Sequence, residues 1–142
     1  MIDEDYKFVP QKYTRVNSLI PMPDNPKISI VMNSFNQGNY LCEAIESILY
    51  QDYENVELLV VDGVSTDGTI EIVEEFTRQD PRVRLLNEED SSPLEAIHKG
   101  LRMATGHILA TQTSSDYYCP SIFRQVVREF RQNSKLFAVG GG

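Results

Sequence analysis

The sequence predicts an α/β fold in which helices flank a mostly parallel sheet. Short β-branched runs alternate with amphipathic helical segments from residue 27 to residue 141. This alternation is typical of parallel strands joined by right-handed crossovers. A polar segment follows each of four predicted strands. In such sheets ligands bind beyond the carboxyl ends of the strands, so the same pattern predicts a binding site.

The chain has 142 residues, which suits one domain with a continuous core. Residues 1–26 are polar and punctuated by proline, so we assign them to an N-terminal arm and residues 27–142 to the domain. The net charge of −8 argues against a nucleic-acid partner, because phosphate binding depends on clustered Lys and Arg. No apolar run of ~20 residues and no signal peptide is found, which predicts a cytoplasmic protein.

Two strand and helix pairs are predicted in the first half of the domain. The run "KISIVM" indicates a buried strand, and "VELLVVD" indicates a second one. The helix predicted for "NYLCEAIESILYQ" starts at Asn39 as its cap. Its apolar side chains share one face: Leu41, Ala44, Ile45, Ile48 and Leu49. The turn "GVSTDGT" precedes a second helix, "IEIVEEFTR".

The second half continues the alternation with the strands "RVRLLN", "HILATQ" and "LFAV". A helix begins in "SSPLEAIHKGLRMATG", where Ser92 is the predicted cap, Pro93 lies in the first turn and Glu95 completes a capping box. Gly106 is the predicted stop of this helix. A last helix follows Pro120. The order of elements therefore stays α/β to the end of the chain.

Four polar loops are expected to meet at one edge of the sheet and form a pocket: residues 33–39, 62–69, 88–92 and 113–118. Asp62 closes a strand there, and it suits a hydrogen bond from a nucleotide as well as it suits capping of the next helix. For Asp67 capping is the favoured role. Phe35 could stack on a base or belong to the core. The common dinucleotide, NTP, hydrolase and redox motifs are missing from the sequence.

Four segments together resemble the nucleotide-sugar-binding half of family 2 glycosyltransferases. They are "ISIVMNSFNQGNYLCEAIESILYQDYENVELLVVDGVSTDGT", "DPRVRLLNEED", "AIHKGLRMATGHILA" and "SSDYYCP". The resemblance implies a GT-A-like (Rossmann-like) fold that is incomplete at its C-terminal acceptor half. It also implies transfer of a sugar, most often from a UDP-sugar, to a hydroxyl of a sugar or glycolipid acceptor. Such reactions build polysaccharides and glycoconjugates.

The resemblance also implies roles for individual residues. Positions that match the nucleotide-binding stretches are Asn33, Ser34, Phe35, Asn36, Asp62 and Ser114. Ser115 stands where the family usually has an aspartate that binds Mg²⁺ or Mn²⁺, and Asp116 is the acid that follows. Because a serine hydroxyl is a poor sole ligand for a hard cation, either Asp116 substitutes or metal binding is weak or absent.

The part of the family that carries the acceptor site and catalytic base has no counterpart in these residues, so we nominate no base. Three interpretations remain open: the donor-binding domain of a glycosyltransferase, a non-catalytic nucleotide-sugar-binding or assembly module, and an inactive fragment. A ligand-free structural protein would instead show an apolar or blocked loop edge. An incomplete sheet that exposes apolar surface predicts a homodimer. Peripheral contact with a membrane is compatible with a glycolipid acceptor.

Overall fold

A parallel sheet lies at the centre of the fold, with helices on both faces. The computed structural model describes residues 10–14, 22–133 and 136–141, with side chains over 22–133. In chain order the elements are β1 (Pro10–Thr14), β2 (Ile28–Ser34), α1 (Gly38–Leu49), β3 (Val56–Asp62), α2 (Thr69–Gln79), β4 (Val83–Asn87), α3 (Pro93–Met103), β5 (Ile108–Thr113), α4 (Ile122–Gln132) and β6 (Leu136–Gly141). The parallel sheet has the order β4-β3-β2-β5. The predicted α/β class is confirmed.

The two central strands are buried on both faces. On one face Ile30, Met32 and Leu58 pack with α1, α2 and α4. On the other face Val31 and Leu59 pack against α3. Strands covered from both sides need apolar residues at consecutive positions, which explains why β2 and β3 read as continuous hydrophobic runs. The five residues predicted to share the apolar face of α1 are all buried.

Helix α3 lies very close to the sheet because one of its residues has no side chain. A Cβ atom on Gly100 would lie only 2.3 Å from Cγ1 of the buried Val31. The start of this helix is as predicted, since Ser92 Oγ accepts a hydrogen bond from Glu95 N at 3.2 Å. The Glu95 carboxylate reaches back one residue further than a capping box requires, to Ser91 N at 2.6 Å.

One carboxylate, Asp67, joins the starts of α1 and α2. Its Oδ2 accepts from Gly38 N at 3.1 Å, and its Oδ1 accepts from Thr69 N at 3.1 Å. The cap position of α2 is Gly68, so Asp67 does not cap this helix in the expected way, but its carboxylate accepts amide hydrogen bonds from the position before the cap. The prediction that Asn39 caps α1 is wrong, because the cap position is Gln37 and Asn39 lies exposed within the helix. The Asp67 carboxylate serves an amide at that end in its place.

Two further expectations need correction. Helix α3 ends at Met103, before the predicted stop at Gly106. Gly106 instead permits close contact with β2, because a Cβ there would lie 2.5 Å from Ser29 Oγ. The last predicted strand forms as β6, but it pairs antiparallel with β1 from the predicted arm and does not extend the parallel sheet. Within the described ranges, none of the helices combines the length and apolar character needed for a membrane span.

The contact between Gly100 and Val31 predicts the effect of adding one methyl group. We expect Gly100→Ala to lower the free energy of unfolding by about 1–3 kcal/mol, because overpacking outweighs the better helix propensity of alanine. Urea denaturation followed by circular dichroism measures this change. His98→Ala, on the exposed side of the same helix, is the control and should shift stability little. An unchanged or raised stability in Gly100→Ala would contradict the close contact.

The interactions of Asp67 predict a dependence of stability on pH. The Thr69 hydroxyl, and then the amides of Gly38 and Thr69, hold the pKa of the Asp67 carboxyl below its usual 3.8. The stabilisation is therefore present at neutral pH and is lost as the pH falls below 3.8 through the lowered folded-state pKa. We expect Asp67→Asn to be less stable than the wild type at pH 7, and the difference to shrink in acid.

Denaturant titrations of both proteins over a range of pH test this expectation. Thr69→Val is the companion variant, since it keeps the carboxylate but removes the hydroxyl that donates to Asp67 Oδ1 at 2.5 Å. Its Asp67 pKa, followed by NMR, should rise toward the usual value. A pKa that stays the same in Thr69→Val would show that this hydrogen bond does not stabilise the ionised form.

Candidate functional site

The carboxyl ends of the parallel strands bring the predicted polar loops to one edge of the sheet. In the strand registers Ser34 lies beside Asp62, Asp62 lies beside Asn87, and Asn33 lies beside Thr113. Backbone bonds continue this alignment past the strands, from Gly63 N to Ser34 O at 3.0 Å and from Glu88 N to Asp62 O at 3.1 Å. The four loops therefore begin side by side, as a pocket at this edge requires.

A buried carboxylate locks the first two loops together. Asp62 has 0% exposure, and its two oxygens accept from Ser65 N and Ser65 Oγ, each at 2.7 Å. Ser65 Oγ in turn accepts from Asn36 N at 2.8 Å, while Asn36 Oδ1 accepts from Thr66 N at 2.9 Å. The loops after β2 and β3 are thus one hydrogen-bonded unit.

The backbone of this unit includes residues with positive φ, a conformation that residues other than glycine rarely adopt. Asn36 has φ 50° and Val64 has φ 65°, both in the left-handed region. For a β-branched residue such as Val64 this conformation is rare, and it persists only where neighbouring contacts hold it. The hydrogen bonds between Asp62 and Ser65 span Val64 and supply that restraint.

The six predicted nucleotide-binding residues differ in accessibility. Phe35 is 60% exposed, Asn36 is exposed and Asn33 is partly buried. Ser34, Asp62 and Ser114 are almost fully enclosed, at 4%, 0% and 2% exposure. Ser34 Oγ has no hydrogen-bond partner in the described part of the chain. A ligand on this surface can therefore contact the first three side chains, whereas the other three are enclosed.

The loop after β5 presents one carboxylate among hydroxyl groups. Asp116 is exposed, and its Oδ2 accepts from Thr113 Oγ1 at 2.8 Å. The Ser115 hydroxyl lies 3.2 Å from the same Thr113 oxygen. Over residues 22–133 no group of three or more His, Cys, Asp or Glu side chains is placed to hold a metal ion. Any ion here would depend on Asp116, hydroxyl oxygens and the oxygens of a bound ligand.

Two neighbouring tyrosines follow Asp116 in this loop, and one is packed against the domain while the other is exposed. The Tyr118 ring packs edge-on against Phe123 with 4.9 Å between centroids, and its amide donates to Ser47 Oγ at 3.0 Å. Burial, and to a lesser degree the Asp116 charge, raises the pKa of the Tyr118 hydroxyl to about 12. This phenol therefore stays protonated at neutral pH. Tyr117 points outward and is exposed.

The third loop contributes a carboxylate that the sequence analysis did not single out. Asp90 lies beside Gly63: a Cβ atom built on Gly63 would be 3.1 Å from Asp90 Oδ2 and 3.5 Å from Phe35 Cδ2. In the sequence it lies in a polar loop before a helix cap, at the end of the family-like segment "DPRVRLLNEED". That context is shared by Glu88 and Glu89, so it could not identify one residue.

Comparison with known proteins connects this chain with one enzyme family. The family model described as glycosyl transferase family 2 matches residues 29–142. Glycosyltransferase GlyG of Streptococcus pneumoniae is 32% identical over 114 residues, which cover 80% of this chain and 38% of the relative. The putative glycosyltransferase EpsE of Bacillus subtilis is 33% identical over 123 residues, which cover 85% of this chain and 44% of the relative. The chain thus spans about two fifths of the length of these relatives.

Solved structures agree on the fold. A mannosyltransferase from Pyrobaculum calidifontis, in complex with GDP-Man and Mn²⁺, matches with a TM-score of 0.64 and 28% identity over 72% of this chain and 32% of its own. Residues 1–349 of Staphylococcus aureus TarS, in complex with UDP-GlcNAc, match with a TM-score of 0.70 and 24% identity over 75% of this chain and 31% of that one. With a family model that covers most of the domain and a GT-A fold shared with these enzymes, the chain belongs to glycosyltransferase family 2.

Proposed function

We propose that this chain binds a nucleotide-diphosphate sugar at the carboxyl edge of its sheet and forms the donor-binding part of a glycosyltransferase. The observation that carries the proposal is the hydrogen-bonded unit of the first two loops, in which the exposed Phe35 ring lies beside Gly63, the residue that follows the buried Asp62. Nucleotide sugars in the structures of two similar enzymes support a donor of this class. The complete reaction would transfer the sugar to a hydroxyl of a sugar or glycolipid acceptor.

The three accessible residues suit contact with the nucleoside. Phe35 offers a ring face on which a base can stack, and Asn33 and Asn36 offer amide groups to the base or ribose. The enclosed Ser34, Asp62 and Ser114 act as positioning residues in this proposal. Asp62 in particular fixes the turn that follows β3, so its contribution to binding is through Ser65 and Asn36.

The loop after β5 suits the diphosphate end of the donor. Mg²⁺ is commonly held by one or two carboxylates together with substrate phosphates. Asp116 supplies one carboxylate, and the diphosphate of the donor would supply the other oxygens. Such an ion neutralises charge on the leaving nucleotide during sugar transfer. Ser115 and Thr113 would supply only neutral hydroxyls. A weak, ligand-dependent metal site is the arrangement that these donors support.

A second function is favoured by the same loop. With one carboxylate where the family usually has more, the chain would suit a non-catalytic module that binds nucleotide sugars or supports assembly of a larger enzyme. Both functions include donor binding, and they differ in sugar transfer by the whole protein. The proposal also includes a cytoplasmic or membrane-peripheral location and a homodimer.

Calorimetric titration with UDP, UDP-sugars and GDP-sugars tests donor binding. We expect Phe35→Ala to weaken binding of the preferred nucleotide about tenfold, because stacking of a base on an aromatic ring contributes ~1–3 kcal/mol. Tyr50→Ala removes another exposed aromatic ring, at the end of α1, and serves as the control that should leave affinity unchanged. Failure of the wild-type chain to bind any of these nucleotides would exclude both functions.

The same titrations with and without Mn²⁺ test the role of Asp116. We expect Mn²⁺ to tighten nucleotide binding in the wild type and to have no effect in Asp116→Ala, which lacks the one carboxylate ligand. Ser115→Asp is the converse variant, and its added carboxylate should increase the effect of Mn²⁺ beyond that in the wild type. Equal affinities with and without Mn²⁺ in all three proteins would rule out a metal site in this loop.

A further inference from the structure

We propose that Asp90 reads the nucleobase, by accepting a hydrogen bond from the ring N–H of uracil or guanine while the base lies against Phe35. This inference rests on the proposed nucleotide binding and adds the residue that selects the base. It assigns a specificity role to a carboxylate that is not among the predicted site residues. The chemistry shared by the two bases is a ring nitrogen that carries hydrogen.

Asp90 and Phe35 approach each other across a residue without a side chain. The same point above Gly63, where a Cβ atom would lie, is 3.1 Å from Asp90 Oδ2 and 3.5 Å from Phe35 Cδ2. Gly63 has no left-handed φ that would require glycine. The space that its missing side chain leaves is therefore bordered by a carboxylate on one side and an aromatic ring on the other.

Most of the other acids at this edge already have hydrogen-bond or ion-pair partners. Asp62 and Asp67 accept from the turn and helix amides, Asp116 accepts from Thr113, and Glu95 accepts from Ser91. Glu88 lies 3.8 Å from Lys99 Nζ. Asp90 is partly buried, yet its carboxylate makes no hydrogen bond or ion pair with any residue whose side chain the structure describes. The Glu89 carboxylate is unpaired as well but exposed, so Asp90 is the partly buried acid among the described residues of this edge whose acceptor capacity is unused.

The backbone on either side of Asp90 is held in place. Lys99 Nζ donates to Glu89 O at 2.6 Å, which ties the loop to α3. Glu88 N donates to Asp62 O at 3.1 Å, which ties the loop to the end of β3. On the other side Ser92 caps α3. An unpaired carboxylate on a restrained loop can select a ligand without a large ordering cost.

An ionised carboxylate only accepts hydrogen bonds, so it distinguishes bases by their donors. Uracil presents N3–H, and guanine presents N1–H beside its amino group. Cytosine and adenine carry lone pairs at the corresponding ring nitrogens, which face the carboxylate unfavourably. Specificity thus arises from a favourable bond with one class of base and repulsion of the other.

Methylated nucleotides test the single bond that the proposal requires. We would measure dissociation constants for UDP, N3-methyl-UDP, GDP, N1-methyl-GDP and CDP by calorimetry, using the wild type and Asp90→Asn. The wild type should bind UDP or GDP about tenfold or more tightly than its methylated form, as expected for a hydrogen bond to a charged group. In Asp90→Asn this ratio should fall toward one, while CDP gains because the asparagine amide can donate to cytosine N3.

Two further variants separate base reading from general effects. Glu89→Gln removes an equal charge from the neighbouring exposed position and should leave the methylation ratio unchanged. Gly63→Ala keeps Asp90 but places a methyl group 3.1 Å from its Oδ2, so the displaced carboxylate should reduce the ratio. Thermal unfolding checks that each variant is folded, and Asp90→Asn should be as stable as the wild type.

The outcomes distinguish this inference from the proposed function. If the wild type binds UDP or GDP but the methylation ratio is one, or is the same in Asp90→Asn, then the role of Asp90 is overturned and nucleotide binding stands. If the wild type binds no nucleotide, both are overturned. The UDP and GDP arms show which base the site selects.

Discussion

The buried carboxylate of Asp62 is the interaction on which the proposed site depends. Both of its oxygens are satisfied by Ser65, so burial of the group does not leave an unpaired acceptor. Through Ser65 it also positions the Asn36 amide, and it encloses the left-handed turn at Val64. Removal of this carboxylate would release both loops together, because each restrains the other. Phe35 and Gly63, which lie between the restrained points, owe their relative placement to it.

The start of α2 shows why a helix N-terminus in this sequence is not free for a phosphate. Amides at such an end attract anions, and the turn "STDGT" has the composition for this role. In the folded chain, however, the Asp67 carboxylate already accepts from Thr69 N and from Gly38 N. The anion at this helix end is therefore supplied by the protein itself. This favours the loop after β5, rather than this helix, as the place for the diphosphate.

Local patterns predicted most elements, and long-range contacts account for what was missed. The apolar periodicity of α1 and the Ser92 cap depend on neighbours within a few residues, so they can be read from the sequence. Gly106 looked like a helix stop, but its role is contact with Ser29, 77 residues away. Likewise the proximity of Asp90 to Phe35 exists only after β2, β3 and the third loop align. Motif matching found the family, yet it assigned no role to Asp90.

The charges at the sheet edge affect the base end and the diphosphate end of a bound nucleotide differently. The net charge of −8 works against a diphosphate, and Lys99, the cation nearest the third loop, is engaged by Glu88, Glu95 and the Glu89 carbonyl. One carboxylate at Asp116 can recruit only a weakly held ion. Stacking on Phe35 and a hydrogen bond to Asp90 require no cation, so both can form at the base end without a metal ion. The affinity of this chain for a nucleotide should therefore come mainly from the base, with the diphosphate end governed by the metal and by parts of the enzyme that bind the acceptor.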